Sequence, residues 1–427
     1  MKALLLCAGK GTRLRPFTFT RPKHLLPIVG KPLIKHIIDG LKAAGIKDII
    51  ILIGYLDKLI KEYLGDGSEF GVNIEFVNQD DPKGTAQAVG LAEEIIGSEP
   101  FFMQYGDVLI SADVYISIIK KFEKKKPHSI LSVYSVEDPS KYGVIAKEND
   151  KVKKIIEKPD PGSAPTNLAN AGVYIFSHDI FNAIKRTKLS KRNEYEITDS
   201  IQMLIDDDFE IIDFEINSIW KDIGVPWDLL EANELLLPNW PLENRGIIEN
   251  NVTIKDPVGI GEGTVIRSGS YIDGPVLIGK NCDIGPNCYL RSNTVLGDKV
   301  RVGNACEIKA SLVMSNSKIP HLSYIGDSII GRNVNLGAGT ITANLKFTKG
   351  SVKAYIKDKR VDSRRKKLGA IIGDNSQSGI GVTFMPGVII GVNCVIGPNM
   401  NIWEDIPNDT LILPKEETIK KDWTFKN

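Results

Sequence analysis

The sequence predicts an α/β domain with a doubly wound parallel sheet, followed by a parallel β-helix of hexapeptide repeats. Three observations lead there. Residues 1–237 alternate strand-like and helix-like segments. Residues 248–408 repeat an aliphatic side chain every six positions. The stretch between them, 238–247, carries two prolines and reads as a linker. A chain of 427 residues is too long for one ordinary core, so more than one domain is expected. Its 42% apolar and 25% charged residues are ordinary for a globular protein. A net charge of +1 offers no global attraction to nucleic acid or an anionic membrane. No apolar run reaches the ~18 residues of a membrane span. MKALLLCAGKG is too short in apolar residues for a signal peptide. A cytoplasmic protein is expected, binding neither membrane nor nucleic acid.

In the first half KALLLCA is a short apolar run before glycines, and PLIKHIIDGLKAAG has helical periodicity with a glycine stop. DIIILIG, VNIEFVNQ and EPFFMQYGD read as strands, with YLDKLIKEYLGDG and GTAQAVGLAEEIIG as helices between them. Such alternation places ligand loops at the strand C-termini. From about 128 to 176 strands dominate, which predicts an antiparallel addition to the sheet. VPWDLLEANELLL reads as a closing helix.

The repeat begins with Ile254, Ile260, Ile266, Ile272, Ile278, Ile284, Leu290, Leu296, Val302 and Ile308. With aliphatics at roughly a quarter of residues, chance gives such a series on the order of once in a million. Two residues before each stands a small side chain, from Val252 through Cys306. Positions i−2 and i share one face of a strand, so each hexad sends one small and one larger side chain inward. Four of the five cysteines, Cys282, Cys288, Cys306 and Cys394, fall in the small slot, which favours packing over metal binding or disulfides. Met314 keeps the spacing, but the next slot is Pro320, followed at once by His321. The period returns at Ile330 and Leu336, and again from Ile372. Residues 343–369 leave the prism as a strongly basic loop, and 409–427 form a C-terminal tail.

CAGKGTRLRPFTFTRPKHLLPI follows the first strand. Glycines let backbone N–H groups approach a triphosphate. An arginine and a lysine beside such a loop suit phosphoryl transfer, although the loop lacks the Gly-Lys-Ser/Thr of ATPases. GxGTRLxPxT…PKxLLPI resembles the signature of the sugar-1-phosphate nucleotidylyltransferases. The resemblance continues, in order, through QDDPKGTAQAV, YGDVL, YGVI, EKP, NAG and WKDIGVP. Alone, Asp107 would read as a turn residue and Glu157-Lys158 as a solvated pair. The ordered set spans more than 200 residues and is specific. It implies a Rossmann-like nucleotidyltransferase domain with Arg13 and Lys23 catalytic. Ala8, Gly9, Gly11, Thr12, Gln79, Gly84 and Thr85 would bind nucleotide, with Gln79 and Gly84 meeting a pyrimidine. Gly143, Glu157, Lys158 and Asn170 would bind the sugar phosphate, and Asp107 and Asp222 would hold Mg²⁺. The implied reaction is in-line displacement, with the sugar-1-phosphate oxygen attacking the α-phosphorus of UTP or dTTP.

From Tyr289 to Asn344 the repeat resembles the bifunctional N-acetylglucosamine-1-phosphate uridylyltransferases, archaeal-type branch. Those carry an acetyltransferase on a left-handed β-helix. The resemblance implies His321 as catalytic base, and Arg291, Lys309, Tyr324, Asn335 and Asn344 as binding residues for the acetyl acceptor. A base near neutrality and cations for a phosphate suit transfer from acetyl-CoA to a sugar amine. Leu345 and Ile380 depart from the bacterial pattern. The basic loop reads either as a binder of coenzyme A phosphates or as a solvated surface loop. Its sparse aromatics disfavour nucleic acid.

The expected protein is therefore bifunctional: it would acetylate glucosamine-1-phosphate with acetyl-CoA and couple a hexose- or hexosamine-1-phosphate to UTP or dTTP, with Mg²⁺, as a homotrimer. One rival is a single-activity nucleotidylyltransferase with a structural β-helix. The other is a non-enzymatic scaffold resembling exchange-factor subunits of translation initiation.

Overall fold

The computed structural model describes residues 1–160 and 162–415. The expected tail lies outside the described residues from 416 on. The chain divides into two compact units, one running to Leu235 apart from Arg15–Phe17, the other from Leu236 onward with those three residues.

The first unit is built on a nine-stranded sheet. Ala3–Leu6 lies at its parallel centre, between Asp48–Ile53 and Phe101–Tyr105, with Asn73–Asn78 beyond Asp48–Ile53. Fully buried Leu4, Leu5, Ile51 and Phe102 explain why these strands read as continuous apolar runs. Leu168–Phe176 turns the sheet antiparallel, pairing with both Phe101–Tyr105 and Ser129–Ser135. Gly143–Glu148 and Lys151–Glu157 form its far, antiparallel edge. Leu33–Ala43 is the first helix, with Ile34, Ile37, Ile38 and Leu41 turned to the core. The predicted helix over GTAQAVGLAEEIIG is two short ones, Thr85–Gly90 and Glu93–Ile96. The closing helix is Asp228–Leu236. A separate two-stranded sheet pairs Val108–Ile110 with Trp220–Asp222, so Asp222 faces Val108.

The second unit is a left-handed β-helix whose three parallel sheets hold nine, eight and seven strands. Ile260, Ile278, Leu296, Val313, Ile330, Ile372 and Ile390 stack inside the prism, and so do the four cysteines of the small slot. All the cysteines are free and buried. Corners are turned by residues at left-handed φ, largely Asn and Gly, such as Asn281, Asn287 and Asn293. The described stack still pairs at Leu411–Ile412.

One expectation is corrected. Neighbouring coils pair Leu290 with Ile308 but Val295 with Leu312, so each coil there loses one residue. The loss falls at two tight corners, Ala310 (φ 44°) and Asp327 (φ 50°). The inward residues are consequently Val313, Ile319, Ile325 and Ile330, and Met314 is not in the slot. Pro320 interrupts nothing, because the slot beside it is Ile319. His321 ends an in-phase strand, Lys318–His321, paired with Asn304. The irregularity produces Asp327, not His321.

Residues 343–369 do leave the prism. They contain an antiparallel hairpin, Lys353–Ile356 with Lys359–Asp362, turned by Lys357 and Asp358 at left-handed φ. Among the described residues no helix is long and apolar enough to cross a membrane.

Candidate functional sites

In the first unit the glycine loop leaves the sheet after Leu6 and folds over Lys23. A Cβ at Gly11 (φ 59°) would lie 3.2 Å from Lys23 Cβ, and one at Gly9 would lie 3.7 Å from Lys23 Nζ. Lys23 forms an ion pair with Asp107. Burial works to raise the Asp107 carboxyl, but the Lys23 charge and hydrogen bond, with smaller help from His24 and the backbone, together outweigh it and hold the group below its ordinary value. Asp222 is pushed up, first by burial and then by the neighbouring Asp107 and Asp228 charges. Arg13 is exposed and reaches the same place, since a Cβ at Gly224 would sit 3.1 Å from Arg13 Nη2 and 3.3 Å from Asp222 Oδ2.

A cavity of about 330 Å³ opens beside this cluster. Ala8, Gly9, Lys23, Gln79, Gly84, Thr85 and Asp107 all line it, so most of the predicted nucleotide residues share one wall. Thr12 begins the short helical turn Thr12–Leu14 just beyond. Gly84 has φ 124°, and a Cβ there would meet the Tyr195 carbonyl at 2.4 Å. At the sheet edge Gly143 pairs with Glu157, and a Cβ on Gly143 would lie 3.0 Å from Glu157 Oε2 and 3.5 Å from Asn170 Cβ. Asn170 Nδ2 donates to the Tyr174 hydroxyl at 2.6 Å. Tyr174 meets Tyr105, another cavity residue, edge to face. Lys158 Nζ lies 3.7 Å from Glu157 Oε1. Burial raises Glu157, and Lys158 and Arg192 partly offset it.

Sequence reading missed Arg192, which pairs with Glu157 at 3.2 Å and Glu196 at 2.6 Å. It also missed Glu194, which lines the cavity. The run SKRNEYEI looks like a polar loop, and only its charge density before a helix hints at more.

The pair Asp107 and Asp222 fits a magnesium ion. Two half-buried carboxylates repel one another, and a cation between them would relieve the cost that raises Asp222. Mg²⁺ usually takes one or two carboxylates and fills its shell with phosphate oxygens and water. Among the described residues no group of three His, Cys, Asp or Glu side chains gathers to form an all-protein cage.

In the second unit Lys309 Nζ lies 3.3 Å from Asp327 Oδ2. Asn344 Nδ2 donates to the same oxygen at 2.6 Å and lies 3.1 Å from the Tyr324 hydroxyl. Lys309 and Asn344 are thus joined through Asp327, a buried carboxylate that sequence reading passed over, and Tyr324 joins them through Asn344. Its signal is the aspartate that ends HLSYIGD, at a corner one residue short. Arg291 follows Leu290, which pairs with Ile308, so it stands one coil before Lys309. It bonds Glu307 at 2.8 Å and lies over the Tyr289 ring. His321 is exposed at the adjoining corner, and Ser323 Oγ donates to its carbonyl at 2.7 Å. Asn335 is not part of the cluster. It pairs with Lys318, three residues back from His321, roughly 10 Å along the strand. Leu345 and Ile380 are both exposed. Gly339 N–H donates to the His321 carbonyl and Gly381 N–H to that of Ala338, which puts Ile380 two coils beyond His321 on one corner.

Comparison with known proteins fits this geometry. Residues 2–239 match the family described as nucleotidyl transferase, and residues 272–376 match a family described as GMPPB C-terminal domain. The first unit is thus a nucleotidyl transferase domain. A solved putative glucose-1-phosphate thymidylyltransferase from Bacillus anthracis is 34% identical, with TM-score 0.51 over 55% of this chain and 94% of its own. Over the full length, the bifunctional protein GlmU of Methanocaldococcus jannaschii is 43% identical, covering 98% of this chain and 99% of the relative. The bifunctional sugar-1-phosphate nucleotidylyltransferase/acetyltransferase of Sulfurisphaera tokodaii is 42% identical over 95% and 98%. The chain belongs to this bifunctional GlmU family.

Proposed function

We propose that the two clusters are the two active sites of a bifunctional enzyme of amino-sugar nucleotide synthesis. The first unit transfers a nucleotidyl group to a sugar-1-phosphate, and the second acetylates an amino-sugar phosphate. The observation that carries this reading is that one chain, similar over its whole length to relatives named for both activities, holds both clusters.

In the first site UTP or dTTP occupies the cavity, with its base at Gln79 and Gly84 and its phosphates along the glycine loop. Glu157, Asn170 and the Gly143 backbone hold the sugar, and Lys158 and Arg192 its phosphate. The sugar phosphate oxygen then attacks the α-phosphorus in line, and pyrophosphate leaves. Lys23 neutralises the α-phosphate and Arg13 the departing pyrophosphate. Asp107 and Asp222 would hold Mg²⁺, which supplies further neutralisation of phosphate charge.

In the second site His321 takes the proton from the attacking amine of glucosamine-1-phosphate. Arg291 and Lys309 hold its phosphate, and Tyr324 and Asn344 orient the sugar toward the acetyl group of acetyl-CoA. The chain works as a homotrimer in the cytoplasm, Asn335 acting outside the single-chain cluster. The exposed apolar side chains Leu322, Ile341 and Ile380 support such association.

The test is to supply glucosamine-1-phosphate, acetyl-CoA, UTP and Mg²⁺ and identify the nucleotide sugar formed. UDP-N-acetylglucosamine is the expected product. Pyrophosphate release from N-acetylglucosamine-1-phosphate and UTP, with no thiol release from acetyl-CoA, would leave the single-activity reading.

A further inference from the structure

Behind Gln79 on the cavity wall runs a hydrogen-bond relay through Gln87, a residue that the reaction above does not use. Gln87 is half-buried on the helix Thr85–Gly90, and both ends of its amide are tied to backbone. The Lys83 N–H donates to Gln87 Oε1 at 3.0 Å, and Gln87 Nε2 donates to the Asp81 carbonyl at 3.0 Å. A backbone N–H can only donate and a carbonyl only accept, so these contacts fix which end of the amide is oxygen. Gln87 Oε1 faces Gln79, and Gln79 must present its nitrogen. Gln79 Nε2 donates to Gln87 Oε1 at 2.8 Å, and its second hydrogen faces the Gly84 carbonyl at 3.4 Å. Both hydrogens of that amide are engaged by the protein, which leaves Oε1 as the open end of a buried side chain on the cavity wall.

We propose that Gln87 is a positioning residue for nucleobase selection: it holds Gln79 so that a carbonyl oxygen, not an amide nitrogen, meets the base. This rests on the reading of Gln79 as a base contact. An acceptor in that place pairs with the N3–H of uracil or thymine. Cytosine carries a lone pair at N3, so two acceptors would face one another, and Gln79 cannot turn its amide without breaking the relay. The site therefore accepts UTP and dTTP and rejects CTP through an orientation set from the backbone of residues 81–84. A freely turning Gln79 would serve either base, because its two ends are complementary to both.

The experiment measures kcat/KM for UTP and CTP, by pyrophosphate release with N-acetylglucosamine-1-phosphate, in the full-length protein and three variants. Gln87→Leu, which keeps bulk but no hydrogen bonds, is expected to lower the UTP:CTP ratio at least tenfold. Gln87→Glu keeps the acceptor toward Gln79 and is expected to hold the ratio within about threefold of wild type. A merely structural role for Gln87 would depress both nucleotides alike and leave the ratio where it was. Should Gln87→Leu keep the wild-type ratio while Gln79→Leu loses it, the orientation role is overturned and the base contact stands. Should Gln79→Leu also keep wild-type selectivity and KM for UTP, the base contact itself is wrong, and the relay has no ligand to act upon.

Discussion

Replacing Asp327 tests whether the second cluster is a working site. Its carboxylate holds Asn344 at 2.6 Å and Lys309 at 3.3 Å, and it is buried at a left-handed corner. A hydrogen bond to a charged group contributes about 1.5–3 kcal/mol. The ion pair adds about 1 kcal/mol, since the Lys309 side chain keeps 19% of its exposure and is partly screened. Asp327→Ala should therefore destabilise the prism by about 2.5–4 kcal/mol, plus about 1 kcal/mol for alanine at positive φ. Asp327→Asn tolerates the corner and still accepts from Asn344, so it loses chiefly the attraction to Lys309. Groups displaced by about 1 Å at a reacting centre cost about a hundredfold in rate. The alanine variant should thus lose about a hundredfold in acetyl transfer, and the asparagine variant about tenfold. Nucleotidyl transfer by the same preparations should stay within twofold. Thiol release from acetyl-CoA and pyrophosphate release from UTP read the two activities separately. Acetyl transfer at the wild-type rate in Asp327→Ala would refute the reasoning, as would equal loss of both activities.

Three other outcomes are expected. His24 is wholly buried, and burial together with the Lys23 charge lowers its pKa from 6.5 to about 3. The folded state then binds fewer protons than the unfolded state below pH 6.5, so stability is lost as pH falls. The loss is about 2 kcal/mol between pH 7 and pH 5, and denaturant titration of wild type and His24→Leu at both pH values should find it only in the wild type. Gly84→Ala forces a Cβ onto the Tyr195 carbonyl at positive φ, so KM for UTP should rise at least about tenfold with acetyl transfer unchanged. Ile325→Ala empties a fully buried prism position and should cost about 2–5 kcal/mol, whereas Leu189→Ala, at 50% exposure, should stay within about 0.5 kcal/mol in thermal melts.

Much of this architecture is written in short-range pattern. The prism could be read because an inward aliphatic every six residues has one economical solution, and Ile254 through Ile308 keep the rule without exception. The rule failed where a coil is a residue shorter, because Met314 is as apolar as Val313 and a one-residue slip is silent in composition. Misplacing that slip drew attention to His321 and away from Asp327. In the first unit the glycine loop and Lys23 were legible because glycines and a cation together suit phosphates, whereas Asp107 was legible only through the ordered motifs that the chain shares with its family. Arg192 and Gln87 were not, since each matters through a partner distant in sequence or an amide orientation. Asn335 looked like its neighbours in the motif, yet strand register carries it away from Tyr324. Side-chain type suggested which residues do chemistry, and only pairing between coils decided which of them meet.

The central claim is that two separable reactions run on one chain. It is tested most directly by following glucosamine-1-phosphate, acetyl-CoA, UTP and Mg²⁺ through wild type, His321→Ala and Lys23→Ala. Wild type should form UDP-N-acetylglucosamine. Lys23→Ala should stop at N-acetylglucosamine-1-phosphate, and His321→Ala should consume only N-acetylglucosamine-1-phosphate supplied from outside. Acetylation at the wild-type rate by His321→Ala would contradict the account.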